Sequence, residues 1–165
     1  MRLRIEKRLI RKSYFGLGLG LLGAFFAQEI QRWQWPWLAG WQVDSVYKQL
    51  SGLVLIIFLG QQWHCSLLRN QGCTARGNSL LPRHKWFGAL APLFFYAHAQ
   101  HLGYGYLQAL SGSFFVVFFT GLFNCEIMHI RQPWFRPVWL ILHVGLATAL
   151  LFLIGYHVAI SYVYE

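Results

Sequence analysis

Five apolar runs constrain the fold of this 165-residue chain more than any other feature. They lie roughly at residues 13–28, 50–68, 86–107, 112–130 and 138–163. A run of about 18 apolar residues is long enough to cross the hydrocarbon core of a membrane as a helix. Hydrophobic residues make up 56% of the chain and charged residues 12%, which is too apolar for a soluble domain of this length. The sequence therefore predicts an all-α integral membrane bundle of about five transmembrane helices, in a single domain over residues 1–165.

The basic residues divide unevenly between the two ends of these runs. Six precede the first run, four lie between the second and third, and two lie between the fourth and fifth, whereas only Arg32 and Lys48 lie on the opposite side. Basic loops of membrane proteins stay in the cytoplasm. The pattern predicts a cytoplasmic N-terminus and an external C-terminus, in what we expect to be a bacterial inner membrane. Since orientation accounts for the positive charge, nucleic acid is not an expected partner.

This orientation assigns the segments between the runs. We expect a basic cytoplasmic tail at 1–12, a basic cytoplasmic loop at 69–85 and an external amphipathic segment at 29–49. The external segment is rich in tryptophan, which favours the membrane interface. The run from Gly18 to Gly23 matches G-x-G-x-x-G, but it lies inside an apolar run with no strand before it. Close helix packing through small residues is the expected role of these glycines.

Four histidines recur at a matched interval. His84, two residues before the third run, and His98 within it stand 14 residues apart, and His143 and His157 stand 14 apart in the fifth run. Fourteen steps of about 100° return a helix to within about 40° of the same face, and about 1.5 Å per residue separates the two positions by about 21 Å. Each run therefore offers two imidazoles on one face, at two depths. Because both runs cross from inside to outside, His84 pairs with His143 on the inner side, and His98 pairs with His157 on the outer side.

One imidazole per helix at each depth suits the two axial positions of a haem iron. Zinc and di-metal sites instead need ligands that converge within a few ångströms. Two imidazoles leave no open position on the iron, so electron transfer is the expected chemistry, and without a C-x-x-C-H motif the haem is not covalently attached. The sequence predicts two b-type haems and no catalytic residue. The predicted iron ligands are His84, His98, His143 and His157, and the expected partners of the inner haem propionates are Arg83, Lys85, Arg131 and Arg136.

The third run resembles a known family. His84-Lys85-Trp86, followed by His98 and His101, is similar to the third transmembrane helix of the ferric reductase-like and NADPH oxidase transmembrane domains. The run from Gly88 to His98 resembles the same helix in the bacterial haem-binding membrane subunits of methionine sulfoxide reductase systems.

The fifth run resembles the partner helix of the same family through Trp139, Leu142-His143 and His157, although Val144-Gly145 stands where the family often has Arg-Leu. The resemblance covers about half the chain, from Pro82 onward. It implies a two-haem cytochrome b that carries electrons across the membrane, with the same four histidines as ligands. No flavin or nicotinamide domain fits in these residues, so we expect a separate donor protein or a quinol. We also expect membrane lipid around the helices and assembly into a multi-subunit complex.

Other interpretations of the histidines stay open at this point. His84, flanked by Arg83 and Lys85, fits an interfacial histidine, and the other three fit hydrogen-bonded polar residues between helices. His101 is displaced by about 100° from the face of His84, so a polar residue at a helix end is the expected role. The alternative functions are a structural or assembly subunit of a larger membrane complex, and a small metal or ion transporter.

Overall fold

The computed structural model describes residues 2–70, 74–130 and 132–163, and every secondary-structure element assigned within them is a helix. This confirms the all-α prediction for the described residues. The helices are α1 (Arg2–Gln31), α2 (Pro36–Val43), α3 (Ser45–Asn70), α4 (Thr74–Ala89), α5 (Ala91–His98), α6 (Tyr106–Leu122), α7 (Cys125–Met128) and α8 (Phe135–Val163). The chain divides into two compact units, Met1–His101 and Leu102–Glu165, called unit 1 and unit 2 below and described one at a time.

Two helices in the described ranges are long and apolar enough to cross a membrane. They are Ser45–Leu68 of α3 and Phe135–Val163 of α8. Only 11% and 6% of the residues in their most apolar 18-residue stretches are buried. Most of their side chains are therefore exposed, unlike those of a core helix in a soluble protein. A third helix, α6, is apolar but shorter. Exposed apolar helices of this length indicate a membrane location.

In unit 1, α5 is packed between α1 and α3. Phe25 of α1 meets Phe95 of α5 edge to face, with ring centroids 5.4 Å apart. On the other side, Phe58 of α3 stacks on Phe94 at 4.5 Å. These aromatic contacts fix α5 between its neighbours, because each pair adds a preferred geometry to the burial of two large rings.

The predicted third run, 86–107, is not one helix. The helix α4 ends at Ala89, α5 begins at Ala91 and ends at His98, and no regular element follows until α6. Pro92 explains the interruption, because proline lacks an N–H group and its ring clashes with the carbonyl four residues earlier, here at Gly88. The prediction that one helix, at most kinked at Pro92, carries both His84 and His98 is therefore wrong: His84 lies on α4, and His98 is the last residue of α5.

In unit 2, the fifth run forms the single helix α8, which carries both His143 and His157 as predicted. The fourth run is displaced from its predicted position at 112–130, since α6 begins at Tyr106 and ends at Leu122. Asn124 stops it: its side chain accepts a hydrogen bond from the Glu126 N–H and caps the short α7. Asparagine favours such N-cap positions over helix interiors.

The two segments predicted to connect the apolar runs, the basic loop 69–85 and the amphipathic segment 29–49, are largely helical. The basic segment 69–85 belongs to α3 and α4 apart from 71–73, which lie outside the described residues. The segment 29–49, predicted to be external, contains the end of α1, all of α2 and the start of α3. Its four tryptophans are exposed, and successive rings are in contact, with centroids 5.1 to 6.3 Å apart, at positions Trp33, Trp35, Trp37 and Trp41.

Two glycines of the α1 motif, Gly20 and Gly23, do not pack as predicted. A methyl group added at Gly20 or Gly23 would meet no atom of the described residues within 4 Å. Among the described residues, Gly20 and Gly23 therefore do not make the expected close helix contact.

Candidate functional site

In unit 1, both predicted iron ligands are half-buried and point one ring nitrogen at α3. The Nδ1 atom of His98 lies 3.0 Å from the Ser51 hydroxyl. The Nδ1 atom of His84 lies 3.2 Å from the backbone carbonyl oxygen of Gln62, one helix away and closer to the other end of α3. Since a carbonyl oxygen only accepts, His84 donates its Nδ1–H there.

In unit 2, the antiparallel helix α6 contacts both histidines of α8 in the same way. His143 Nδ1 lies 2.9 Å from the Thr120 hydroxyl, and His157 Nδ1 lies 3.5 Å from the Tyr106 hydroxyl. Tyr106 and Thr120 stand 14 residues apart on α6, like the two histidines on α8. The 14-residue interval therefore places both imidazoles on the face of α8 that packs against α6.

His143 is held by a second group as well. The ring of Trp139, one turn earlier on α8, lies parallel to the imidazole, with an interplanar angle of 5° and centroids 5.3 Å apart. The Trp139 indole N–H donates to the Thr120 carbonyl at 2.9 Å. Thr120 thus contacts both rings, its hydroxyl facing the imidazole and its carbonyl accepting from the indole. Sequence reasoning missed Thr120, because nothing in its local pattern marks it.

His101 occupies a different kind of position from His98, three residues away. Its Nδ1 atom lies 2.7 Å from the Glu29 carboxylate, and its Nε2 atom lies 2.8 Å from the Gln34 side-chain amide. Both ring nitrogens are therefore engaged by side chains of the α1–α2 region. This agrees with the expected role of His101 as a polar residue at a helix end, although its partner Glu29 was not foreseen.

A cavity of about 260 Å³ lies beside His84 between α3 and α4. Its lining is rich in hydrogen-bond donors and consists of Gln61, Gln62, His64, Cys65, Leu80, Arg83 and His84. The side-chain nitrogen of Gln62 is buried and has no hydrogen-bond partner among the described residues. A buried donor without a partner carries a desolvation cost, so this cavity suits a ligand that bears a hydrogen-bond acceptor. Of the other predicted propionate partners, Arg131 lies outside the described residues.

The backbone next to His98 is secured by polar side chains from α2 and α3. The Gln42 amide donates to the carbonyls of Tyr96 and Ala97 at 2.9 and 3.1 Å, and the Tyr47 hydroxyl donates to Ala97 at 2.8 Å. These carbonyls belong to the last turn of α5, where no further helical N–H group follows. The end of α5, and with it His98, is thereby held in place.

Gln100 ties this end of α5 to the segment before α2. It is 4% exposed, and its side-chain oxygen accepts from the Trp35 N–H at 2.9 Å and from the Tyr96 hydroxyl at 3.1 Å. We expect Gln100→Leu to lower the free energy of unfolding by roughly 1–3 kcal/mol, because it leaves these donors without an acceptor. The check is unfolding in detergent followed by circular dichroism. Gln49→Leu, at an exposed position of α3, is the control, and equal losses in both variants would contradict the expectation.

The four predicted ligands divide equally between the units. His84 and His98 belong to unit 1, and His143 and His157 belong to unit 2, so their pairing into an inner and an outer set stays a prediction from the charge pattern. Within the described residues, no three His, Cys, Asp or Glu side chains converge on one point. Comparison with protein-family models, curated proteins and solved structures produced no match.

Proposed function

We propose that this chain is a membrane-embedded di-haem b-type cytochrome subunit, which carries electrons across the membrane between a separate donor and a separate acceptor. One observation carries the proposal: each of the four histidines directs its Nδ1 atom at an oxygen of the neighbouring helix. Imidazoles that bind a metal through one nitrogen usually make this contact through the other, which orients the ring and raises the basicity of the ligand.

The cavity beside His84 supports the same proposal. A haem carries two propionates, which need cationic or hydrogen-bonding partners. Arg83 and the buried Gln62 amide, which has no partner among the described residues, are donors of the required kind. The residues present at this position therefore fit the carboxylate end of the cofactor.

The topology in this proposal follows from charge. The third span consists of α4 and α5 despite the interruption at Leu90, and α1, α3, α6 and α8 are the other four. The N-terminus is cytoplasmic because most basic residues lie on that side. In this arrangement His84 and His143 serve the inner haem, and His98 and His157 serve the outer haem.

In this proposal the cofactor supplies the redox chemistry, and the chain binds and orients the cofactor. When bound, haem supplies one-electron iron chemistry. The four histidines would hold the haem iron through ring nitrogens, the oxygens of α3 and α6 orient these rings, and the apolar faces of the helices would exclude water. The resemblance to ferric reductase-like transmembrane domains, carried by the histidine motifs, points to the same role, with a quinol or a reductase as donor.

The test is the haem content of the purified full-length chain. We expect two haems b per chain and a reduced-minus-oxidised spectrum with a b-type α-band. A chain without a reducible α-band would contradict the proposal and favour a structural subunit. Bound zinc or copper in place of iron, together with metal-dependent flux into vesicles, would favour a transporter. One haem per chain would indicate that His84, the interfacial candidate, is not a haem ligand.

A further inference from the structure

Two of the four imidazole contacts share an arrangement of a hydroxyl and a glycine at consecutive positions. On α3, Ser51 contacts His98 and is followed by Gly52; on α6, Thr120 contacts His143 and is followed by Gly121. We call these the two hydroxyl–glycine pairs. They occur in separate units, on helices with otherwise different sequences.

In both pairs, the hydroxyl donates to the backbone carbonyl three residues earlier in its own helix. The Ser51 hydroxyl donates to the Lys48 carbonyl at 3.2 Å, and the Thr120 hydroxyl donates to the Val117 carbonyl at 2.9 Å. Each hydroxyl has a single hydrogen, so once that hydrogen is donated within the helix, the oxygen accepts from the imidazole. In this arrangement the proton of each ring lies on Nδ1 and Nε2 is the basic nitrogen, which is the tautomer that the inference below assigns.

The glycines of both pairs lie against the same ring atom. A methyl group added at Gly121 would come within 3.0 Å of His143 Cε1, and one added at Gly52 would come within 3.3 Å of His98 Cε1. Ordinary van der Waals contact begins at about 3.4 Å. The absence of a side chain lets each ring approach the helix closely enough for Nδ1 to reach the hydroxyl.

We infer that the two hydroxyl–glycine pairs are positioning sites for imidazole ligands: the hydroxyl sets the tautomer, and the glycine makes room for the ring. The part of this inference that concerns iron rests on the proposed function. In the predicted pairing, His98 belongs to the outer haem and His143 to the inner haem, so each haem has one ligand held in this way.

The tautomer is tested by nitrogen NMR of the haem-free full-length chain with ¹⁵N-labelled histidine. We expect protonated Nδ1 at His98 and His143. Ser51→Ala should reduce the Nδ1-protonated fraction at His98 only, and Thr120→Val should do so at His143 only. The conservative variants Ser51→Thr and Thr120→Ser should keep the Nδ1-protonated fraction of the wild type. Thr148→Val is the matched control, because the Thr148 hydroxyl donates to the Val144 carbonyl within α8 in the same manner.

A second measurement uses the haem-loaded chain. Loss of the acceptor weakens the ligand and disfavours ferric iron, so each tenfold loss of preference for the ferric state raises the midpoint potential of one haem by about 59 mV. We expect about one such tenfold change in Ser51→Ala and in Thr120→Val, and none in Thr148→Val. If Thr120→Val fails to fold, Ser51→Ala carries the test in unit 1.

The two proposals fail in different ways. A chain that binds two haems, but whose tautomers and potentials do not respond to the hydroxyl variants, overturns the positioning role and leaves the cytochrome proposal intact. A wild-type chain that binds no haem overturns the cytochrome proposal, and the NMR measurement then still decides whether the hydroxyls set the tautomers.

Discussion

Gly121→Val is expected to remove one of the two proposed haems from the chain, whereas Gly112→Val on the same helix should retain both. The first methyl group at residue 121 already lies 3.0 Å from His143 Cε1, and the branches of valine extend the clash. A methyl group at residue 112 meets no atom of the described residues within 4 Å. The imidazole of His143 must therefore move in the first variant only, and a displacement of about 1 Å is enough to disrupt a site that needs precise ligand geometry.

The measurement is haem per chain, with circular dichroism as a control for helix content. Both substitutions place the same β-branched residue in α6, so their intrinsic cost to the helix is similar. Gly52→Val and Gly60→Val repeat the comparison on α3, where the closest approach to His98 is 3.3 Å and residue 60 is open. Equal haem contents in the two members of either comparison would count against the glycine as the source of the space.

His98→Ala is the second variant with a large expected effect: the chain should lose the proposed outer haem and retain the proposed inner one. His101→Ala, three residues away, should retain both. The reason is the different engagement of the rings, since His101 has the Glu29 carboxylate at one nitrogen and the Gln34 amide at the other. His98 instead has its Nδ1 atom at Ser51, in the arrangement that leaves Nε2 as the basic nitrogen.

This comparison is read from haem content and from the reduced spectrum of the haem that remains. His101→Ala should lower the melting temperature by loosening the contact with α1, without a change in stoichiometry. The opposite result, with haem lost from His101→Ala and retained by His98→Ala, would identify His101 as the outer ligand instead of His98. Because both variants remove an imidazole at the same end of unit 1, a general loss of stability affects them alike.

Helical class and the long fifth span could be predicted because both depend on local sequence. A long unbroken apolar run favours a helix whatever its tertiary contacts, and α8 covers the fifth run as expected. The boundaries of the third and fourth runs could not be predicted in the same way. Apolar side chains continue past His98, but Pro92 interrupts the helix and Asn124 caps a new one, so single residues override the hydrophobic pattern.

The positions of the histidines could likewise be predicted only in part. The 14-residue interval is a property of the sequence, and in α8 it places both imidazoles toward α6. In unit 1 the same interval crosses the α4–α5 break, and the contacts on α3 at Ser51 and Gln62 are only 11 residues apart. The prediction treated this stretch as one helix with at most a kink at Pro92, whereas the structure divides it into α4 and α5.

From its sequence alone, this chain is an apolar helical protein with four histidines at matched intervals, because composition and helical periodicity act over a few turns. Only the tertiary structure shows which oxygen each imidazole meets. Ser51 and His98 are 47 residues apart, and Thr120 and His143 are 23 apart. Such contacts depend on the register in which one helix packs against another, and that register is set by many side chains at once rather than by any local pattern.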